Sequence, residues 1–308
     1  MKVLITGANG FVGTKLISTL SSIEGWEITA TGREADTQLK CSYVQCDLTY
    51  YNFVVEMLQE LKPDFIFHLA GMIPGVRDNF EDKMISANLV TSLNLLEAIS
   101  RILPTCRILM MGTAAEYGRI AEKENPIAED FICRPEGHYA LSKYWMSKAS
   151  LDYYQRKKID VIIARCFNVI GPGISQDNVA GAFLMKAKNA ILEGNRTVKM
   201  GNLSAIRDYL DVRDLCRLLI LLMQKGEGGE IYNVGSGVGV STLTIIEKLA
   251  DCFEEKIVVE SDSVITQKKI DVPVVIADIS KLKEKIDFTR EFSLETSIYD
   301  MFHSEVER

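Results

Sequence analysis

Short apolar runs alternate with amphipathic stretches through the first half of the chain. Val3–Ile5, Glu27–Thr31, Tyr43–Gln45, Phe65–Leu69, Arg107–Met111 and Val161–Arg165 read as strands. Gly13–Ser21, Asn52–Leu61, Ile85–Ser100 and Tyr139–Gln155 lie between them and read as helices. Strands joined by helical crossovers make βαβ units, because parallel neighbours need a long connection. The pattern therefore predicts an α/β fold built on a doubly wound parallel sheet, covered by helices on both faces.

The second half is less regular. Gly171-Pro172-Gly173 breaks the chain after a strand, and a helix is expected over Gly181–Leu192. Arg207-Asp208-Tyr209 precedes a second helix, Val212–Gln224, and a strand, Glu230–Val234. Gly235–Gly239, a helix near Ser241–Phe253 and a mixed tail complete the chain. The expected division is a nucleotide-binding domain over 1–165, rejoined by 204–235. A smaller C-terminal substrate-binding lobe would comprise 166–203 and 236–308.

Composition narrows the function. Of 308 residues, 47% are hydrophobic and 25% charged, as in ordinary globular proteins. Thirty-five Lys plus Arg against 42 Asp plus Glu leave a net charge of −7 without a basic block. That balance argues against nucleic acid or a membrane as partner. Seven cysteines without a C-x-x-C pair, and only three histidines, give no metal-ligand spacing. Scattered thiols and an opening that starts directly on a strand, MKVLITGANGFVG, lead us to expect a cytoplasmic protein without a leader.

Gly7-Ala8-Asn9-Gly10-Phe11-Val12-Gly13 falls between the first strand and the first helix. Glycines there let backbone approach a diphosphate, while the helix N-terminus offers N–H groups and positive dipole. The spacing is G-x-x-G-x-x-G, and the strand–turn–helix context is what such a loop requires; the alternative is a tight turn that binds nothing. The second strand ends in Gly32-Arg33. An arginine there favours NADP(H) through its 2′-phosphate, with Arg33 as the reader. A solvated Arg33, with Glu34 or Asp36 on a ribose, would leave NAD(H) open. Asp47-Leu48 follows the third strand and either borders an adenine or caps the next helix. His68-Leu69-Ala70-Gly71 brings small residues to the end of the fourth strand, and His68 itself reads as structural.

Tyr139 and Lys143 lie four apart on a predicted helix, hence on one face. An ammonium beside a phenol favours phenolate, so Lys143 is expected to lower the Tyr139 pKa from about 10, and the positive charge of an oxidised nicotinamide would add to this. Such a tyrosine gives a proton to a carbonyl oxygen as hydride arrives, or takes one from an alcohol. Thr113, at the carboxyl end of the fifth strand, is placed to hydrogen-bond the same oxygen, unless it only braces its own turn.

With TGANGFVG, CDL, HLAG, GTAAEYG, YALSK, ARCFNVIGPG and GNLSAIRDYLDVRDL in this order, the chain resembles an extended short-chain dehydrogenase/reductase. The resemblance is to the NAD(P)-dependent sugar epimerase/dehydratase family and spans nearly the whole length, implying a Rossmann-type fold. It implies Thr113, Tyr139 and Lys143 as the catalytic trio, with Tyr139 and Lys143 also touching the cofactor. Gly7, Gly10, Phe11, Val12 and Gly13 would hold the diphosphate, Asp47 and Leu48 the adenine, and Leu69, Ala70 and Gly71 the middle of the cofactor. Asn168, Arg207 and Lys268 would join Thr113 in binding a nucleotide-sugar substrate; the alternative for Arg207 is an ion pair with Asp208 or Asp211. A homodimer through the helices Ile85–Ser100 and Tyr139–Gln155 is also implied.

The family's 4,6-dehydratases carry an acidic pair directly after the threonine, where this chain has Ala114 and Ala115. Elimination of water needs that acid and base, so dehydration is not expected. FNVIGPG and MGNLSAIRDYLDVRDL most resemble the GDP-4-keto-6-deoxy-D-mannose reductases. The expected reaction is reduction of a nucleotide-linked 4-keto-6-deoxyhexose. A 4-epimerase with tightly bound NAD, and a non-catalytic NAD(P)-sensing protein, remain alternatives. The chain departs from the family at Gly137-His138 before the tyrosine, at Met72-Ile73-Pro74-Gly75, and at Lys268, where an arginine is usual.

Overall fold

The computed structural model describes residues 1–35, 38–73, 81–262 and 272–304. Seven parallel strands form the main sheet: β1 (Lys2–Thr6), β2 (Glu27–Gly32), β3 (Ser42–Gln45), β4 (Phe65–His68), β5 (Arg107–Thr113), β6 (Asp160–Cys166) and β10 (Ile231–Val234). Their order is β10-β6-β5-β4-β1-β2-β3, so the chain reverses direction across the sheet between β1 and β4. That switch point opens a crevice beyond the carboxyl ends of the strands, where α/β folds bind ligands. Each of the six strands read from the first half lies in this Rossmann-type sheet.

Helices cover both faces. On one, α1 (Phe11–Ser21) packs against α7 (Val212–Lys225) over a core that includes Leu16, Leu20, Leu215, Leu219 and Leu222. On the other, α2 (Tyr51–Leu61), α4 (Thr91–Ile102) and α5 (Gly137–Lys157) enclose Leu4, Leu58, Ile66, Leu95 and Ile108. Asp211 starts α7 by accepting the Arg213 N–H at 2.8 Å, the role that favours aspartate at a helix N-cap.

The helix expected over Ile85–Ser100 is interrupted. A short helix α3 (Glu81–Ile85) passes into a π-helical turn, Ser86–Val90, before α4 begins. A π turn accommodates one more residue than an α turn, and such turns recur at functional sites.

Beyond β6 the chain builds a second lobe. β7 (Asn168–Ile170), β9 (Ile206–Asp211), β11 (Gly239–Ser241) and β13 (Val274–Val275) form a four-stranded sheet around β9. β8 (Thr197–Met200) and β12 (Val258–Ser261) pair separately. α6 (Val179–Leu192), α8 (Thr242–Ala250) and the C-terminal helix Leu294–His303 close a separate core around Phe183, Leu184, Ile245, Ile246 and Met301. The chain returns to the main sheet through α7 and β10, whereas β9 belongs to the smaller sheet. Asp208 locks β9 in place. Fully buried, its carboxylate accepts Ser236 N and Oγ at 2.6 Å each, Gly237 N at 2.9 Å and Ala277 N at 3.2 Å.

Leu219 is fully buried where α7 meets the sheet. Leu219→Ala is expected to cost about 3 kcal/mol, the cavity penalty of a close-packed core. In urea the midpoint should fall with an unchanged slope. A loss under about 1 kcal/mol would show that this face is loosely packed.

Candidate active site

A cleft of about 700 Å³ opens over the carboxyl ends of β1, β4 and β5 and extends to the second lobe. Gly7, Gly10, Phe11, Val12 and Gly13 line one end with Leu69 and Gly71; Thr113, Tyr139 and Lys143 lie in the middle. Asn168 and Arg207 line the far end. They arrive on neighbouring strands, since β7 pairs with β9 in register Asn168 to Tyr209, two residues beyond Arg207.

The glycine end is shaped by close approach of backbone. Gly7 has φ +66°, and a Cβ there would lie 2.6 Å from the Ala70 nitrogen. At Gly13 a Cβ would run into the Gly7 carbonyl and lie 2.8 Å from Ala8 Cα. Gly10 N–H closes the turn on Gly7 O at 3.1 Å and leads into α1, whose N-cap carries no side-chain hydrogen bond. The first turn of α1 holds no acidic residue. Together these leave a concave backbone surface at a helix N-terminus, a shape and polarity that fit the diphosphate of a dinucleotide.

The next loop is fixed from beneath. Ala70 N–H donates to Thr6 Oγ1 (3.1 Å), Thr6 to His68 Nδ1 (2.8 Å), His68 Nε2 to Ser92 Oγ (2.9 Å), and Ser92 to Asn88 O (2.6 Å). This chain of donors assigns His68 the neutral tautomer with its proton on Nε2. Burial, and then the charge of Lys143, push His68 down to about 3. His68 is a structural residue.

Asn88, which sequence reasoning passed over, projects from the π turn and is fully buried. Its Oδ1 accepts Met72 N–H at 2.7 Å; its Nδ2 donates to Met72 O at 3.0 Å and to Ser142 Oγ at 2.9 Å. Ser142 in turn donates to Tyr139 O at 2.8 Å. One amide thus joins the loop after β4 to the helix carrying Tyr139 and Lys143. Nothing but an unremarkable Asn in a predicted helix marked it beforehand.

In the protein alone, burial outweighs the lowering of Tyr139 expected from Lys143. Burial raises its phenol to about 12, against the downward pull of the Thr113 hydroxyl, while the carboxylate of Glu116 adds to the rise. Lys143 Nζ–H donates a hydrogen bond to Met111 O at 2.8 Å, and burial lowers the ammonium to about 8. Desolvation outweighs the four-residue proximity on which the sequence expectation rested. In the protein alone Tyr139 is therefore held as a phenol, the form that donates a proton.

Other candidates fall outside the cleft. Arg33 is exposed, and its carbonyl accepts Gln45 Nε2 at 2.9 Å. The Asp47 carboxylate turns back on Thr49, accepting N at 3.0 Å and Oγ1 at 2.7 Å, and Leu48 O is held by Asn94 Nδ2 at 2.8 Å. Ala70 contributes its backbone to the Thr6 chain and is absent from the cleft lining among the described residues. Asp36, Pro74, Gly75 and Lys268 lie outside the described residues. Near Arg207, the Asp208 carboxylate is engaged as above, and Asp211 holds Arg213 and Ser297.

The family model described as "NAD dependent epimerase/dehydratase family" matches residues 3–235. The chain belongs to that family. It is 29% identical over 283 residues to a GDP-6-deoxy-D-talose 4-dehydrogenase of Aggregatibacter actinomycetemcomitans, covering 92% of this chain and 90% of the relative. It is 30% identical over 267 residues to a GDP-6-deoxy-D-mannose reductase of Pseudomonas aeruginosa, covering 85% and 83%. Among solved structures, RMD from Pseudomonas aeruginosa complexed with NADPH superposes with a TM-score of 0.84 at 26% identity, covering 98% and 97%.

Because His68 is neutral in the fold and ionises near 6.5 when unfolded, the unfolded chain takes up the extra proton below that pH. Its contribution to stability is present above about pH 6.5 and declines as pH falls towards 3. His68→Gln should flatten the slope of unfolding free energy against pH by about one proton between pH 5 and 4. Equal slopes in the two proteins would contradict the neutral assignment.

Proposed function

We propose that this enzyme reduces a nucleotide-linked 4-keto-6-deoxyhexose, of the GDP-4-keto-6-deoxymannose type, with NADP(H) as the favoured cofactor. The observation that carries the reading is the middle of the cleft. Thr113, Tyr139 and Lys143 meet beside the glycine cradle, and the two positions after Thr113 are Ala114 and Ala115, both lining the same space. An acid and a base for elimination are missing there, while a phenol held in its protonated form suits addition of a proton to oxygen.

Gly7, Gly10 and Gly13 with the start of α1 would hold the diphosphate of the cofactor, Gly71 and Lys143 its nicotinamide half. When bound, the cofactor supplies the hydride. Tyr139 delivers its phenolic proton to the ketone oxygen, and the Thr113 hydroxyl holds that oxygen in line. Lys143, fixed by Met111 O, keeps a positive charge below the phenol and favours the phenolate left behind. Asn168 and Arg207 would take the sugar-linked diphosphate at the far end, an anion suited to a guanidinium fork. Among the described residues Lys143 and Arg207 are the charged side chains lining the cleft, so its field attracts anions.

The named relatives act on GDP-linked deoxysugars and the solved neighbour carries NADPH, which supports the same substrate class and cofactor. Arg33 is the chain's candidate for the 2′-phosphate. The smaller lobe, bearing Asn168 and Arg207, is assigned to substrate binding. For the assembly, Leu141 and Trp145 lie one turn apart on α5 and are 40% and 55% exposed, an apolar pair suited to a second copy.

Purified enzyme given NADPH and GDP-4-keto-6-deoxymannose, made in place by a dehydratase, should consume one NADPH per product. NADPH should outperform NADH, and Tyr139→Phe should lower kcat by about 10²-fold or more with KM little changed. No consumption with the ketosugar demonstrably present would reject this substrate and cofactor; tightly bound NAD in the purified protein would then indicate the epimerase. Light scattering should give twice the chain mass, and Trp145→Glu should halve it. A wild-type monomer would remove the assigned contact.

A further inference from the structure

Glu116 and Arg165 are ionised side chains buried behind the cleft. Glu116 belongs to the tight 3₁₀ turn Ala114–Tyr117 that follows β5 and is wholly enclosed; Arg165, on β6, is 3% exposed. Glu116 Oε1 accepts the Thr113 N–H at 2.9 Å, and Oε2 accepts Arg165 Nη2 at 3.0 Å. The absence of a side chain at Gly112 makes this approach possible, since a Cβ there would lie 2.7 Å from Oε1. In return Ala115 N–H reaches Thr113 Oγ1 at 3.3 Å. Backbone and hydroxyl of Thr113 are thereby both fixed from within the same turn.

Stability alone is a poor explanation for this pair. Arg165 Nε and Nη1 have no hydrogen-bond partner among the described residues, and a buried guanidinium so poorly served costs stability. An apolar pair of similar volume would fill the space at no greater cost. What the ion pair supplies that an apolar pair cannot is a directed acceptor for Thr113 N–H. The anchor is itself braced, because Arg165 lies 4.6 Å over the Tyr117 ring and the Tyr117 hydroxyl donates to Asn233 Oδ1 at 2.7 Å.

We propose that Glu116, anchored by Arg165, is a positioning residue that aims the Thr113 hydroxyl at the Tyr139 phenol and the substrate oxygen. The proposal rests on the roles assigned to Thr113 and Tyr139 under Proposed function. Glu116 also acts through its charge. The titratable groups facing Tyr139 and Lys143 are Glu116 from the turn, Cys166 from β6 and His68 from β4; Arg165 faces Glu116, Tyr117 and Cys133. Cys166 is pushed up to about 12 by burial and His68 down to about 3, so both are neutral near pH 7. Glu116 remains as the anion of this group. It raises Tyr139 and Lys143 together, keeping the first protonated and the second charged.

The test compares wild type with the apolar double variant E116M/R165M and with E116Q. The double variant should melt at or above the wild-type temperature and yet lose kcat about 10²-fold, as expected of a displaced reacting group, with both KM values near wild type. The basic limb of its pH–rate profile should move to lower pH, because the anion that raises Tyr139 is gone. An amide in place of the Glu116 carboxylate has one acceptor oxygen, which can face Thr113 N–H or Arg165 but not both, so E116Q should lose less kcat than the double variant. Its basic limb should move at least as far, since the anion is gone while Arg165 keeps its charge, and it should melt below wild type. It is the variant to read if the double variant does not fold. A stable double variant with the wild-type kcat and pH profile would overturn the proposal.

If wild type reduces none of the ketosugars offered, the reading of the substrate fails without deciding this one. The same proteins are then compared by amide hydrogen exchange without substrate. Faster exchange at Thr113 by about tenfold, with Met110 and Met111 unchanged, supports the positioning role; unchanged exchange at Thr113 overturns it.

Discussion

The fold turns on one close approach. The loop leaving β1 and the loop leaving β4 touch backbone to backbone, with Gly7 packed against Ala70 where any side chain would intrude. This contact crosses the switch point of the sheet and holds the cradle, the Thr6–His68–Ser92 chain and the Asn88 clamp in a common frame. Each depends on the last. Ala70 N–H can reach Thr6 only because Gly7 lets the strands' ends draw together, and Asn88 can grip Met72 only because Ala70 and Gly71 are already placed. A cavity lined by backbone is difficult to deform, since its walls are set by the sheet and not by rotamers.

Charge is distributed on the same plan. Among the described residues the cleft is lined by the cations Lys143 and Arg207, while Glu116, Asp208 and Asp211 accept backbone N–H groups behind it. Glu116 holds Thr113, Asp208 holds the Gly235–Gly237 turn and Ala277 beyond β13, and Asp211 starts α7. The acids stiffen the scaffold; the bases face the cleft.

How much of this could be read from the sequence follows from the range of each signal. Strands of a parallel sheet are buried on both faces, so β1, β4, β5 and β6 appear as apolar runs that need no tertiary information. β7, β11 and β13 span two or three residues, too few to show a period, and their partner β9 carried a recognisable motif that drew attention to Arg207 and away from strand pairing. The site's first layer was legible because glycine spacing and the Tyr139–Lys143 interval are local. Asn88, Glu116 and Arg165 were not, because their partners lie up to 54 residues away and their types are common on helix surfaces and turns. The protonation of Tyr139 fails for a related reason. A lysine four residues distant is visible in the chain, whereas the depth of burial and the diversion of Nζ to Met111 are not.

The π turn at Ser86–Val90 has a consequence for side-chain direction within it. Each residue of an α-helix advances the side-chain direction by about 100°. The wider turn takes up its extra residue by advancing less per residue, and Asn88 within it faces Met72 and Ser142 while Ser92, in the α-helix beyond, meets His68. Chain length is absorbed within one turn: loss of a single residue there would restore regular winding with both flanking helices near their present phase, and what would change is the direction offered at Asn88. The constraint on this segment is therefore local, one of direction at a single position: a change in length matters there by whether an amide still reaches the loop after β4.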